Sequence, residues 1–300
     1  MATGGPNIEF VSSGTYYGKE CVRVMQHRRH GNRHSIKEVL VNTHLTLATK
    51  KDYLFGDNSD IIATDSQKNT VYAVAKTKGI TSPEQLGIDI CQHFLSTYSH
   101  IVKATVYVEE APWRRLDHQG MGHNHAFIFT QEAKRFAEVQ QEQKDVAKVW
   151  AGLSNMKIMK TTQSGFVGFV RDRFTSLPET TDRIACTSVS GKWLYSTIAG
   201  MDVDKAWELC KTSILDAFAG PPDTGIYSSS LQHTMYQAAE KLIAKIPQIE
   251  QVEMEMPNIH YGLADIKKIG MPNNGEVMIP LGDPYGYIRA QLCRSPKAHL

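Results

Sequence analysis

The chain has 300 residues, 41% of them hydrophobic, and a formal net charge of +2 from 33 basic and 31 acidic residues. A chain of this length can bury a large core and favours two domains over one. The near balance of charge gives no global field that would attract nucleic acid or an acidic membrane surface.

The sequence has the features of a reduced, intracellular, soluble protein. No apolar run is long enough to span a bilayer, and the N-terminal residues MATGGPNIEF lack a signal-peptide core. The five cysteines are odd in number, widely scattered and form no CxxC pair. This spacing argues against a disulfide framework and against a cysteine zinc site.

The first predicted elements are two strands, residues 16–26 and 36–49, which flank the polar turn HRRHGNRH as a hairpin. Lys19 opens the first strand in the run Tyr17-Gly18-Lys19. A lysine at such a position is usually exposed. If it is buried near Thr64, it could act as a base.

The stretch NSDIIATDSQKNT, residues 58–70, joins a short apolar run to a predicted helix over residues 65–78. Asp65 and Ser66 are typical helix caps, and Gly79 stops the helix. Thr64 then lies at a helix N-terminus, which favours negative charge, so its hydroxyl could bind an anion or pass a proton. An ordinary helix cap explains the same residues.

A helix and a strand are predicted over residues 83–110. Ser82-Pro83-Glu84-Gln85 is a capping box, and Leu86, Ile90 and Phe94 then recur on one helix face. Alternating valines follow, as in a half-buried strand. The charged stretch from Gln131 to Lys148 is predicted to be a loop with a short helix.

The second half repeats this order. It contains predicted strands over 155–171 and 183–197, a helix over about 203–219, a helix capped by Ser230 and limited by Pro247, and a strand over 251–256. The fold class is therefore α+β, with antiparallel sheets and helices on one face. We predict two domains, residues 1–140 and 141–300, whose open sheet edges oligomerisation can cover.

Four residues of the second half could recognise a flat anionic heterocycle. An Arg183 fork and the Gln232 amide could form paired hydrogen bonds with it, Leu231 shares the first helical turn with Gln232, and Phe166 could stack on the ring. Core packing of Phe166 and a surface ion pair of Arg183 explain these residues equally well.

Asn258 and His260 lie just beyond the last predicted strand with same-side spacing, and could hold a small ligand or water. Hydrogen bonding within a loop is the simpler interpretation. His123 and His125 share this spacing but lack an evident third metal ligand. The usual nucleotide, zinc-protease and serine-hydrolase motifs are absent, so any redox chemistry would proceed without a recognisable cofactor motif.

Together these segments resemble the urate oxidase (uricase) family over nearly the whole chain. The similar blocks, in the family's order, are YGK at 17–19, NSDIIATDSQKNT at 58–70, SGFVGFVRDRFTSLPETTDR at 164–183, SSLQHTMY at 229–236, PNIHY at 257–261 and GDPYGYI at 282–288. The resemblance implies tandem tunnelling-fold (T-fold) domains in a barrel-like homotetramer, with sites between subunits. It also implies oxidation of urate by O2 and water to 5-hydroxyisourate and hydrogen peroxide, in purine catabolism, with neither metal nor organic cofactor.

The resemblance also implies a role for each matching residue. Arg183 and Gln232 would clamp urate, the Leu231 backbone N–H would add a hydrogen bond, and Phe166 would stack beneath the ring. Thr64 and the backbone of Asp65 would close the site from a neighbouring subunit. Lys19, Thr64 and His260 would form a proton relay, and Asn258 would hold O2 or the attacking water.

Two alternatives remain open at this point. One is a related enzyme acting on a pterin or another purine, although a Gln232 anchor in place of glutamate favours urate. The other is a family member that binds a purine without turnover. Leu231 stands where some family members have valine, a change that matters little for a backbone contact. The terminal Ala298-His299-Leu300 is a relaxed match to a peroxisomal import signal and implies recognition by the import receptor.

Overall fold

A computed structural model describes residues 8–11 and 15–295. The helices are Lys51–Phe55 (α1), Thr64–Thr77 (α2), Pro83–Thr97 (α3), Val203–Ala219 (α4) and Leu231–Lys245 (α5), with a short 3₁₀ helix at Lys267–Ile269. The strands are Tyr17–His30 (β1), Arg33–Leu47 (β2), Ile101–Glu110 (β3), Trp113–His118 (β4), Met121–Phe129 (β5), Lys134–Glu142 (β6), Lys148–Lys160 (β7), Ala185–Tyr195 (β8), Ile249–Glu255 (β9), Asn258–Leu263 (β10), Met278–Gly286 (β11) and Arg289–Cys293 (β12).

Ten strands form one antiparallel sheet. Its path runs β1-β2-β3-β6-β7-β8, and β8 then pairs with β9 along one part of its length and with β10 along another. The predicted order of strand–strand–helix–helix–strand–strand occurs twice, as β1-β2-α2-α3-β3-β6 and as β7-β8-α4-α5-β9-β12. The antiparallel α+β class is confirmed. The hairpin β4–β5 and the paired strands β10 and β11 are insertions between the last two strands of each repeat.

The hydrophobic core lies between the sheet and the helices. Alternate residues of β3 and β8 are buried, as expected for strands with one face against a core. Helix α3 contributes Leu86, Ile90 and Phe94, each fully buried. Gly87 allows this helix to approach closely, because a Cβ atom there would lie 2.6 Å from a methyl group of Val139.

Three local predictions were wrong. Residues 131–148 form strand β6 and a turn, with no helix. Most of HRRHGNRH belongs to β1 and β2, so the turn shrinks to Gly31 and Asn32. Helix α2 begins at Thr64 after Ala63, and no side chain caps it, because Asp65 bonds instead to Lys68 and Asn69.

The strands predicted over 155–171 and 183–197 are shorter in the structure. Strand β7 ends at Lys160 and β8 begins at Ala185. Between them, residues 161–184 form an irregular segment, which we call the strap. Its aromatic residues and valines favour a strand locally, but its isolated bridges join Ser164 to Ser228 of a loop and Phe166 to Thr180 within the strap, outside the sheet.

The predicted boundary between residues 140 and 141 falls inside β6, and the sheet continues from β6 to β7 without interruption. The division into two domains therefore stays a prediction. Among the described residues, no helix is long and apolar enough to cross a membrane.

Candidate functional site

The strap is fixed against the loop that precedes helix α5. Ser164 forms a bridge with Ser228, and Phe166 forms a second bridge with Thr180 across the strap. The backbone N–H of Arg183 donates to the Ser164 carbonyl at 2.8 Å. These backbone bonds bring Phe166 and Arg183 together although they are 17 positions apart in the sequence.

Arg183 is a half-buried cation whose guanidinium faces a phenyl ring. Its Cζ lies 5.3 Å from the centroid of Phe166. Its Nε atom is buried and has no hydrogen-bond partner, and no carboxylate pairs with it among the described residues. Burial lowers the pKa of Arg183, and a buried N–H without an acceptor is unfavourable. The site therefore offers an unpaired donor and a positive charge to an anion.

Helix α5 begins beside this cation. The Ser230 hydroxyl accepts a hydrogen bond from the His233 N–H at 3.2 Å and caps the helix as predicted. Leu231 is buried against Ala185 and Phe218, which fixes the first turn on the sheet. The Gln232 side chain is exposed in the same turn. First-turn N–H groups lack intrahelical acceptors, so this helix end also favours an anion.

Strand β10 adds two polar side chains. Asn258 pairs with Thr187 of β8 on one side and with Gly286 of β11 on the other. His260 follows two positions later, opposite Leu281. Asn258 and His260 are both half-buried. Since Thr187 belongs to the face of β8 that carries Ala185, Asn258 lies on the same side of the sheet as Leu231.

A second group of predicted residues lies in the first half of the chain. Lys19, half-buried on β1, pairs with Thr43, whose hydroxyl donates to Gln67 of α2 at 2.8 Å. Thr64 is the first residue of α2 and is exposed. A hydrogen bond from Lys68 lowers the pKa of Asp65, and the positive charge of Lys19 adds to this effect. Lys19, Thr64 and Asp65 therefore share one edge of the molecule.

A single chain does not bring the two groups together. Lys19 lies on β1 and Thr187 on β8, which are five strand positions apart in the sheet. At about 4.8 Å per strand, this corresponds to about 24 Å along the sheet. Phe166, Arg183, Leu231, Gln232, Asn258 and His260 belong to one group, and Lys19, Thr64 and Asp65 to the other. Their roles stay predictions.

The histidine-rich motifs converge elsewhere, where β1 and β2 meet the hairpin β4–β5. His27 contacts His34 at 3.2 Å, and the rings of His34 and His125 are 5.9 Å apart. In the described part of the chain, no three His, Cys, Asp or Glu residues are arranged to hold a metal ion.

Sequence reasoning missed Thr187, a fully buried residue beside Asn258 whose hydroxyl has no partner in the part of the chain that the structure describes. Inside a strand of mixed small residues, no local pattern distinguishes it.

Tyr227 was also missed. It lies close enough to Gly165 that a Cβ atom at position 165 would be 2.1 Å from the tyrosine hydroxyl. That contact explains why the strap carries glycine there.

Comparison with known proteins gives a consistent result. The sequence model of the uricase family matches residues 15–140 and 149–289. The chain is 48% identical over 298 residues to the uricase of Danio rerio, covering 99% of each chain. It is 46% identical over 302 residues to that of Oryctolagus cuniculus, covering 100% of each chain.

Solved structures agree. The crystal structure of the uricase from Arthrobacter globiformis matches with a TM-score of 0.88 at 32% identity, covering 97% of this chain and 98% of that chain. The urate oxidase of Bacillus sp. TB-90 matches with a TM-score of 0.79 at 23% identity, covering 94% of this chain and 100% of that one, and it supports the fold alone. The chain therefore belongs to the uricase family and is a urate oxidase, an oxidoreductase.

Proposed function

We propose that this protein converts urate, O2 and water to 5-hydroxyisourate and hydrogen peroxide with neither metal nor organic cofactor, as a step of purine catabolism. The observation that carries the proposal is the Arg183 guanidinium, which is half-buried and faces Phe166 at 5.3 Å, and whose Nε donor has no partner within the described ranges 8–11 and 15–295. A planar anion stacked on Phe166 would supply the missing acceptor.

The proposed chemistry needs orientation and proton transfer more than a redox group of the protein. Deprotonated urate is electron-rich and can give two electrons to O2, which takes up two protons to become hydrogen peroxide, while water adds to the oxidised ring. Arg183, Gln232 and the Leu231 N–H would hold the ring and stabilise its charge. Phe166 would stack beneath it, and Asn258 would hold O2 or the attacking water.

The proton relay requires a second copy of the chain. Lys19 would act as the base through the Thr64 hydroxyl, and His260 would exchange the proton with water. The separation of about 24 Å between the two residue groups within one chain supports sites formed between subunits. We therefore propose a homotetramer in which Thr64 and the Asp65 backbone of one subunit complete the site of its neighbour.

The test is an assay with purified protein and urate in the presence of a chelator. It follows the ultraviolet absorbance of urate together with O2 uptake and peroxide formation. We expect equal consumption of urate and O2, unchanged by the chelator. Loss of activity on chelation that returns with added metal would contradict the cofactor-free reaction. Urate binding without turnover would instead indicate a non-catalytic member.

We also propose that the protein is imported into peroxisomes through Ala298-His299-Leu300, residues that lie outside the described part of the chain. A fluorescent protein fused to the N-terminus should colocalise with a peroxisomal marker. Removal of the last three residues should leave the fusion in the cytosol. An unchanged distribution after that deletion would disprove the signal.

A further inference from the structure

Two polar side chains without hydrogen-bond partners among the described residues face each other at the edge of the candidate site. The Thr187 side chain is fully buried on β8, and no described residue forms a hydrogen bond with its Oγ1. Asn258 is its direct neighbour on β10. No hydrogen bond of the Asn258 carboxamide to another described residue is present. Directly opposed residues of antiparallel strands have Cβ atoms about 4.5–5.5 Å apart, which lies within reach of a hydroxyl and a carboxamide.

The other cross-strand partners of these two residues carry no polar side chain. Across β7, Thr187 pairs with Ile158, and across β11, Asn258 pairs with Gly286. The Gly286 position leaves space beside Asn258, because a Cβ atom there would lie 3.6 Å from the Asn258 Cβ. The carboxamide therefore has one buried polar side chain beside it in the sheet, the hydroxyl of Thr187.

We propose that Thr187 is a positioning residue that fixes the orientation of the Asn258 carboxamide in the reaction with O2. This inference rests on the proposed function. A small rotation lets the Thr187 hydroxyl donate to the Asn258 Oδ1, which satisfies both groups. A buried hydroxyl without a partner is unfavourable, so the arrangement has a physical driving force.

The bond also selects one of the two orientations of the carboxamide. With Oδ1 held by Thr187, the Nδ2 donors point toward the ligand. Molecular oxygen and its reduced forms accept hydrogen bonds and donate none while unprotonated, so this orientation stabilises the charge that develops on oxygen. Without Thr187 the amide can turn its oxygen toward the reacting species, which repels developing negative charge.

The experiment compares T187V with T187S in the urate and O2 assay. T187V removes the hydroxyl and keeps the branched shape, so kcat and kcat/KM for O2 should fall roughly three- to tenfold, the effect of losing one hydrogen bond. The KM for urate should stay within about twofold, because Asn258 is not part of the clamp. T187S keeps the hydroxyl and should retain nearly normal turnover.

The melting temperatures of the two variants should rank in the opposite order to their turnover, with T187V above T187S. T187V replaces the buried hydroxyl by a methyl group and gains apolar burial, while the Oδ1 of the half-buried Asn258 can bond to water instead, so its melting temperature should stay close to that of the unmodified protein. T187S loses a buried methyl group and should melt a few degrees lower. If Thr187 had a purely structural role, the variant with the lower melting temperature would also have the lower turnover. A variant that is more stable but less active is therefore evidence for the positioning role.

A matched control lies two positions along the same strand face. Val189 is fully buried, so V189T introduces a buried hydroxyl outside the site and should lower the melting temperature while turnover stays unchanged. T187A removes both the hydroxyl and the γ-methyl group, and it takes the place of T187V in the experiment if T187V folds poorly. Normal turnover in the variants without a hydroxyl would overturn the positioning role. No urate consumption by the unmodified protein would overturn the proposed function instead.

Discussion

At the scale of single residues, the site is defined by polar groups that the fold leaves without partners. The Nε of Arg183 and the hydroxyl of Thr187 are buried and have no partner among the described residues, and both belong to the short stretch where the strap enters β8. In most proteins buried polar groups find partners, so two such groups near one helix N-terminus are informative. The Arg183 donor is left for a ligand, and the Thr187 hydroxyl is left for its cross-strand neighbour Asn258.

The proposed clamp of urate by Arg183 and Gln232 gives the first prediction. R183A deletes a charge-assisted donor, so the KM for urate should rise about 10- to 100-fold, as expected from losing a hydrogen bond to a charged group. Steady-state kinetics with varied urate measures the effect. R171A, which alters an exposed arginine of the same strap, should leave the KM within about twofold. Unchanged saturation behaviour in R183A would exclude the clamp.

The proposed base gives the second prediction. K19M keeps a long apolar side chain on β1, so folding and assembly should be retained while kcat falls about 100-fold or more, the typical contribution of general base catalysis. Turnover is compared with that of K103M, which alters another half-buried lysine of the same sheet. Near-normal activity of K19M would remove Lys19 from the relay.

At the scale of elements, sequence periodicity predicted the helices well and the strands less well. Helices α3, α4 and α5 carry apolar residues on one face and have clear caps or stops, and the structure has them at the predicted places. The hairpin β4–β5 and strands β10 and β11 were not predicted. The side chains of β4, β5 and β11 are largely exposed, and those of β10 are half-buried along nearly the whole strand. All four strands therefore lack the alternation that identifies a strand with one buried face.

The candidate site was also predictable only in part. Local sequence suggested Arg183, Gln232, Asn258 and His260 as polar residues near element ends, but their proximity depends on the pairing of β10 with β8. Such a long-range pairing has no local signal. The complete residue set came from the family resemblance, which carries the three-dimensional information that the periodicity lacks.

The first turn of α5 gives the third prediction. S230A removes the hydroxyl that accepts from the His233 N–H, which should destabilise the protein by about 1 kcal/mol. Because the Leu231 and Gln232 donors lie in that turn, the KM for urate should also rise several-fold.

S82A is the matched control, since Ser82 caps the equivalent helix α3 through the Gln85 N–H. It should lower stability similarly and leave the KM unchanged. If S230A and S82A had the same KM for urate, the Ser230 cap would have no role in urate binding and the prediction would be wrong.

At the scale of the whole molecule, the sheet dictates how sites can form. The group that contains Lys19 and the group that contains Arg183 lie near β1 and β8, five strand positions apart in one continuous sheet. A hinge within the chain would therefore have to break strand pairing to bring them together. The proposed interface between copies would solve this problem, since a second subunit would present the missing group. The exposed apolar side chains of β11, such as Ile279 and Leu281, are consistent with surfaces that another subunit covers.

Shared sites give the last prediction, which tests the assembly itself. At a urate concentration well below the KM, K19M and R183A should each turn over at least about tenfold more slowly than the unmodified protein. When an equal mixture is unfolded and refolded together, about a quarter of the sites should combine an intact Lys19 from one subunit with an intact Arg183 from the other. Turnover should then recover to about a quarter of the unmodified level, whereas proteins refolded separately and then mixed should stay inactive. If each site belonged to one chain, co-refolding would restore nothing, because every subunit would still carry one defect.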